Sequence, residues 1–314
     1  MTIDRGRARA FAALGLVMLL WAGNSIVARA VRFDVPPFTL ALLRWWGAVA
    51  LLTPFAVGPV WRDRAALLSA WKPVLALGLL GVGAFNALLY SGLQYTTATN
   101  ALLLQAGIPA LVVLFDRLLF GTRSSALQVA GTLMSIVGVA VIVFRGDIAA
   151  LLELELGLGD VLVLGSVMVW GLYTVLLRLR PKVSPISLVA VTFTIGALAM
   201  VPLAAGEWLA GEEVRWSWGT AGAIAYVAVL PSIVSYFIYN WAAAKVGPAP
   251  AGQAITLLPV FGAALSALLL GEALHAYHAA GMALIGLGIA LGALASARQQ
   301  AGGAPPAAPL EAKP

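Results

Sequence analysis

The 314-residue chain has no cysteine and only two histidines, His275 and His278. Disulfides, thiolate metal sites and thiol chemistry are excluded, and a histidine-rich metal site has no material. Charge is scarce too. Only 10% of residues are Asp, Glu, Lys or Arg, where a soluble domain carries roughly a quarter. No Gly-rich phosphate loop is present. The formal charge of +6 lies on no polar, basic face of the kind nucleic-acid binding needs. What fills the sequence is apolar: 61% hydrophobic residues and a mean hydropathy of +0.96. A soluble domain of this size cannot hide that much apolar surface, so the class is an all-α polytopic membrane protein.

A spanning helix needs ~20 mostly apolar residues. Ten segments qualify: 11–31, 37–58, 72–92, 97–119, 125–144, 158–178, 185–205, 219–242, 247–270 and 276–296. The runs are continuous and rich in Leu and Ala, which argues for helices over the short alternating strands of a barrel. The first run is too long for a cleaved signal peptide, and nine more follow it. Residues 1–10 and 297–314 read as cytoplasmic ends, the second disordered, and 146–157 as an outside linker. Placing the N-terminus inside puts fourteen Lys and Arg in the cytoplasm and four outside, with Arg44 alone within a span. Charge bias of that kind sets orientation, so both termini are expected inside.

The two halves of the chain resemble each other. A shift of 150 places Pro109 on Pro259, Gly121 on Gly271, Gly131 on Gly281 and Gly138 on Gly288. A shift of 148 or 149 places Trp21 on Trp170, Pro37 on Pro185 and Pro54 on Pro202. Gly and Pro carry more weight here than Leu or Ala, because each has a backbone reason for its position. The repeats, 11–145 and 158–296, hold five spans each. Five is odd, so the second repeat enters the membrane from the opposite side. Inverted repeats of this kind are a recurring plan of secondary transporters, with the substrate near the midplane.

Ten helices in two repeats, the opening Leu20-Trp21-Ala22-Gly23-Asn24 and the ending Gly271-Glu272 with Gly281 and Gly288 resemble the EamA branch of the drug/metabolite transporter superfamily. Within it the chain is most similar to bacterial exporters of aromatic amino acids and methyl viologen. The resemblance implies a basket of helices around a central cavity in the bacterial inner membrane, alternating access, and efflux of small metabolites. Members often carry an acid after the Gly of both repeats; here Glu272 has Thr122 as its counterpart.

In-membrane polar and aromatic residues mark the interior, because the lipid face should be apolar. Asn86, Tyr90 and Gln94 lie at i, i+4 and i+8, one stripe on the third span. Ser232, Ser235, Tyr236, Tyr239 and Asn240 form a broader stripe on the eighth. Trp21 and Asn24 on the first span match Trp170 and Tyr173 on the sixth. Gln105 and Gln253 occupy the fourth and ninth. Together these are the expected substrate contacts, although buried amides and hydroxyls also serve as interhelical hydrogen bonds. Pro109 and Pro259 read as mid-span kinks or hinges. The fifth and tenth spans, almost purely small and aliphatic, read as packing or dimer helices. Most of the tryptophans near span ends, Trp45 and Trp46 among them, read as interfacial anchors. Arg44 either attracts a substrate carboxylate or is structural. No acid lies near a span centre, which favours a facilitator, while Glu272 keeps proton-coupled antiport of cationic compounds as the alternative.

A membrane enzyme would need a nucleophile constellation or clustered carboxylates, and neither is present. A channel would need charged rings or carbonyl filters. A receptor lacks the soluble domains to signal through. The expected partners are a small-molecule substrate and the lipid bilayer, with no cofactor, no metal and no nucleic acid, in a monomer or homodimer.

Overall fold

The computed structural model describes residues 5–122, 125–147, 157–246 and 254–301. Most of the expected linker, the end of the chain from 302, Gln253 and the side chain of Asn240 lie outside the described residues. All regular structure among the described residues is helical. In chain order the helices are α1 (Arg5–Ala30), α2 (Pro37–Ser69), α3 (Trp71–Tyr95), α4 (Ala98–Gln105 with Ile108–Phe120), α5 (Ala126–Val143), α6 (Leu158–Leu179), α7 (Pro185–Leu209), α8 (218–246), α9 (254–270) and α10 (Ala276–Ala301). Seven are long and apolar enough to cross a membrane, and eight if the two parts of α4, bent by 41°, form one span. Leu258–Leu270 of α9 and Ala276–Gly292 of α10 are shorter apolar helices.

Local chemistry sets these boundaries at matching places in the two halves. Pro37 and Pro185 open α2 and α7, where a missing N–H costs nothing. Gly121 and Gly271 close α4 and α9 in the left-handed region, at φ of 64° and 65°, a conformation only glycine adopts freely. Ser125 caps α5 in a reciprocal box with Gln128. Both α3 and α8 carry a π-helical turn, at Gly78–Ala84 and Leu230–Val234.

Packing follows the same pairing. The α5–α10, α2–α7 and α4–α9 contacts each join a helix to its own counterpart. The others come in matched sets: α3–α6 with α8–α1, α3–α7 with α8–α2, and α4–α6 with α9–α1. The α5–α10 crossing is the closest. A Cβ on Gly131 would run into the Gly288 carbonyl, and one on Gly138 into the Gly281 carbonyl. Four of the six glycines that align between the repeats thus meet one another, and they serve contact within the chain.

The ends of α2 and α7 hold each other. The Glu207 carboxylate, near the end of α7, accepts from the Phe38 and Thr39 amides at 2.8 and 2.7 Å and from Thr39 Oγ1 at 2.7 Å. Asp63, near the end of α2, accepts from the Ser184 amide at 2.9 Å and Ser187 Oγ at 2.8 Å. Each carboxylate satisfies orphan N–H groups at the start of the other helix.

Candidate functional site

The helices enclose a cavity of about 120 Å³ in the middle of the bundle. Its wall takes Trp21 and Asn24 from α1, Arg44 and Trp45 from α2, Phe85 and Asn86 from α3, Gln105 from α4, Trp170 and Tyr173 from α6, Thr192 and Phe193 from α7, and Ser232 and Tyr236 from α8. Aromatic rings make a belt of two clusters. Trp170 packs on Phe85 at 4.6 Å and on Tyr173 at 5.0 Å, and Phe193 packs on Trp45 at 4.6 Å and on Tyr236 at 6.1 Å.

Arg44 dominates the polar part. It is 7% exposed, and its hydrogen bonds are to neutral groups. Nε donates to Ser232 Oγ at 2.8 Å. Nη1 donates toward Asn24 Oδ1 at 3.0 Å, Asn86 Oδ1 at 2.8 Å and Tyr90 Oη at 2.8 Å. Tyr90 in turn donates to Asn24 Oδ1 at 2.8 Å, Asn86 Nδ2 to the Val82 carbonyl at 3.0 Å, and Ser232 to the Val227 carbonyl at 2.8 Å. The acceptors are thereby fixed in orientation. Nη2 makes no hydrogen bond to any described residue. None of the described residues lining the cavity is acidic, so nothing there neutralises the guanidinium. Burying a charge away from water without a counter-ion is costly.

Backbone placement adds to this potential. The second part of α4 begins at Ile108 and that of α9 at Leu258, and both residues line the cavity. A helix start carries partial positive charge on its free amides. Pro109 and Pro259 sit in the first turn of these two helices. In α4 this first turn follows directly on the 41° bend between the two parts of the helix. Pro is compatible with a first turn.

Of the expected contacts, Trp21, Asn24, Asn86, Gln105, Trp170, Tyr173 and Tyr236 come together at the cavity. Tyr90 stands behind Arg44, and Tyr239 stands against Trp21 at 5.6 Å. Ser235 is fully buried, with Oγ unpartnered among the described residues. Gln94 faces elsewhere, onto a separate depression of about 820 Å³ bordered by Arg32, Glu207 and Arg215. Trp45 is not an anchor at the interface: it is 4% exposed and lines the cavity. Ser232, part of the polar stripe on the eighth span, lines the cavity, whereas Thr192 and Phe193 were not singled out, because single aromatic or hydroxyl residues in apolar runs carry no sequence signal.

A helical membrane bundle folded from two matched halves around a buried, charged cavity is the architecture of a membrane transporter. The chain belongs to the EamA-like transporter family, which it matches over residues 9–144 and 157–293. It is 29% identical to an uncharacterized transporter of Archaeoglobus fulgidus, over 82% of this chain and 88% of that one. A probable terminal-alkyne amino-acid exporter of Streptantibioticus cattleyicolor is 28% identical over 83% of this chain and 85% of the relative. A WAT1-related protein of Arabidopsis thaliana is 26% identical over 89% and 80%. A solved crystal structure aligns with a TM-score of 0.61 at 23% identity, covering 93% of this chain and 99% of the other. That likeness is one of fold.

Proposed function

We propose that this transporter exports small organic carboxylates, amino acids above all, by alternating access through the central cavity. The observation that carries the reading is Arg44: a buried guanidinium in a cavity wall without acids among the described residues. A carboxylate supplies the missing counter-charge in the bidentate geometry guanidinium favours. The starts of the two half-helices reinforce it. The aromatic belt suits an apolar side chain, and the ring faces suit an ammonium group. A cationic drug, by contrast, meets a like charge.

The reading takes the ten helices as ten spans in two inverted repeats. The matched packing pairs and the reciprocal Glu207 and Asp63 caps support that arrangement. The Lys and Arg bias supports cytoplasmic termini in a bacterial inner membrane. Trp21, Asn24, Asn86, Gln105, Trp170, Tyr173 and Tyr236 form the contact set, with Tyr90 holding Arg44. Arginine does not release protons at physiological pH, which favours passive export down a substrate gradient.

One observation favours a proton-coupled variant. Glu272 accepts from the Ala98 and Thr99 amides at 2.9 Å each. Asp160 accepts from Thr96 at 2.6 Å, and His278 Nε2 meets Asn100 Oδ1 at 2.9 Å. Three titratable groups therefore converge on the start of α4. Flux in liposomes holding the purified protein separates the readings. Saturable amino-acid flux without a pH gradient supports the facilitator. Flux that appears only with a proton gradient transfers the coupling to these groups. No amino-acid flux in folded protein, under either condition, overturns the substrate assignment.

A further inference from the structure

We infer that a second, apolar pocket selects the substrate: it takes the hydrocarbon side chain of a carboxylate whose head group is held at Arg44. The inference rests on the Arg44 reading above. The pocket, of about 250 Å³, lies between α2, α7 and α8 against Leu52, Pro185, Ile186, Val189 and Phe237. Ser232 and Tyr236 line both this pocket and the central cavity, and so form their common wall. Ser232 is also the acceptor of Arg44 Nε at 2.8 Å. A carboxylate on the guanidinium therefore lies beside the entrance to the pocket. Tyr236 stands edge-on to Phe193 with ring centroids 6.1 Å apart and hydrogen-bonds Tyr173 through its hydroxyl, so its ring is the partition between the two spaces.

The pocket exists because two neighbours do not pack. Away from the Phe193–Tyr236 contact, α7 and α8 hardly touch among the described residues. The counterpart pair behaves differently: α2 packs along the second part of α3. The gap thus marks a difference between the halves among the described residues, and it adjoins the buried Arg44 guanidinium. Its composition defines the ligand. A charged or amide side chain placed against these aliphatic walls would lose its hydrogen bonds without replacement. Long aliphatic and aromatic side chains lose nothing and gain burial. The substrate class is accordingly an amino acid, or similar carboxylate, with a large apolar side chain.

The test is the ratio of norleucine to alanine flux in liposomes of fixed lipid composition. Val189→Trp fills the pocket and should lower the ratio at least about tenfold, the scale on which a hydrophobic pocket discriminates. Val189→Ala enlarges it and should raise the flux of longer 2-amino acids relative to alanine. If Val189→Trp does not fold, Ile186→Phe reads the same ratio. A ratio that stays at the wild-type value in filled and enlarged variants overturns the inference. So does a ratio that follows the acyl chains of the vesicle and ignores residue 189, which would assign the gap to lipid. Arg44→Gln distinguishes the two layers. If it abolishes both fluxes while filled variants leave the ratio unmoved, the pocket fails and the Arg44 reading stands. If Arg44→Gln changes neither flux, or the unaltered protein carries neither amino acid, the Arg44 reading fails and the pocket with it.

Discussion

At the cavity, α2 of the first half brings Arg44, and the equivalent position of α7, 148 residues on, brings Thr192. The ends of α4 and α9 differ in a related way. The first half has Asp116 and Thr122; a shift of 150 puts Ser266 and Glu272 in their places, so acid and hydroxyl have exchanged positions. Arg178 pairs with Asp116 at 2.8 Å. Its counterpart Arg29, 149 residues earlier, donates instead to the Leu93 and Gln94 carbonyls at 2.6 and 3.0 Å. Glu272 binds the amides of Ala98 and Thr99. An acid at 122 would lack one of the two equivalent partners, because position 248, the counterpart of Ala98, is proline and has no N–H, while position 249, the counterpart of Thr99, is alanine and has lost the hydroxyl. The duplicated scaffold keeps its backbone pairings and diverges in its charges. One guanidinium serves a shared cavity, and each end of the bundle acquires its own latch.

The largest expected effect comes from erasing the first difference. Arg44→Gln removes the only counter-charge for a carboxylate and should lower amino-acid flux at least about 100-fold, within the range for truncating a buried charged pair. Stability should change little, since Asn24, Asn86, Tyr90 and Ser232 are neutral and Tyr90 already bonds to Asn24 at 2.8 Å. Flux and the midpoint of thermal unfolding in detergent, measured on one preparation, check both halves of the statement. Unchanged flux would reduce Arg44 to a structural residue and make Thr192 its functional equal.

A smaller effect tests the exchanged latches. Glu272→Gln keeps the shape but loses the charge that receives the start of α4, and should cost about 1–2 kcal/mol, the scale of a helix cap. Thr122→Glu copies the acid into the first half. It should destabilise, because Thr122 donates to Asp116 Oδ2 at 2.8 Å and a second carboxylate there is repelled. A gain in the unfolding midpoint of Thr122→Glu would show that the single remaining amide donor, at 249, outweighs that repulsion, and the contrast between the two ends would collapse.

Much of this was legible in the chain. Long apolar runs gave the helices, because membrane thickness fixes their length, and aligned Gly and Pro gave the repeat, because their backbone roles are specific. Arg44 stood out as the only charge inside a span, but its partners come from α1, α3 and α8, and no local spacing reveals such convergence. Along the stripe on α3, Asn86 lines the cavity and Tyr90 meets Arg44, while Gln94 does not reach either. Gln94 is eight residues beyond Asn86, which at 1.5 Å per residue is about 12 Å along the axis, far enough to leave the cavity for another depression. Trp45 and Trp46 are chemically alike neighbours, one 4% and the other 41% exposed; only the packing of α7 decides which turns inward. The gap between α7 and α8 shares Ser232 and Tyr236 with the cavity, but the rest of its lining is mostly apolar, and sequence offers no trace of a space between apolar helix faces.

The smallest expected effect concerns the place where the halves agree. Glu207 and Asp63 perform the same task at opposite ends of the α2–α7 pair, but not with equal grip. Glu207 receives three hydrogen bonds and is 8% exposed, while Asp63 receives two. Glu207→Gln should therefore cost about 1 kcal/mol and Asp63→Asn less. The sites share no partner and lie at opposite ends of long helices, so the double variant should show the sum of the single effects. Thermal unfolding of the three variants checks the order and the additivity together. A larger effect for Asp63 would place the firmer latch at the opposite end of the bundle. Strong non-additivity would mean that α2 and α7 move as one body, so that loosening either end already releases the other, which is the mechanical coupling an alternating-access cycle needs.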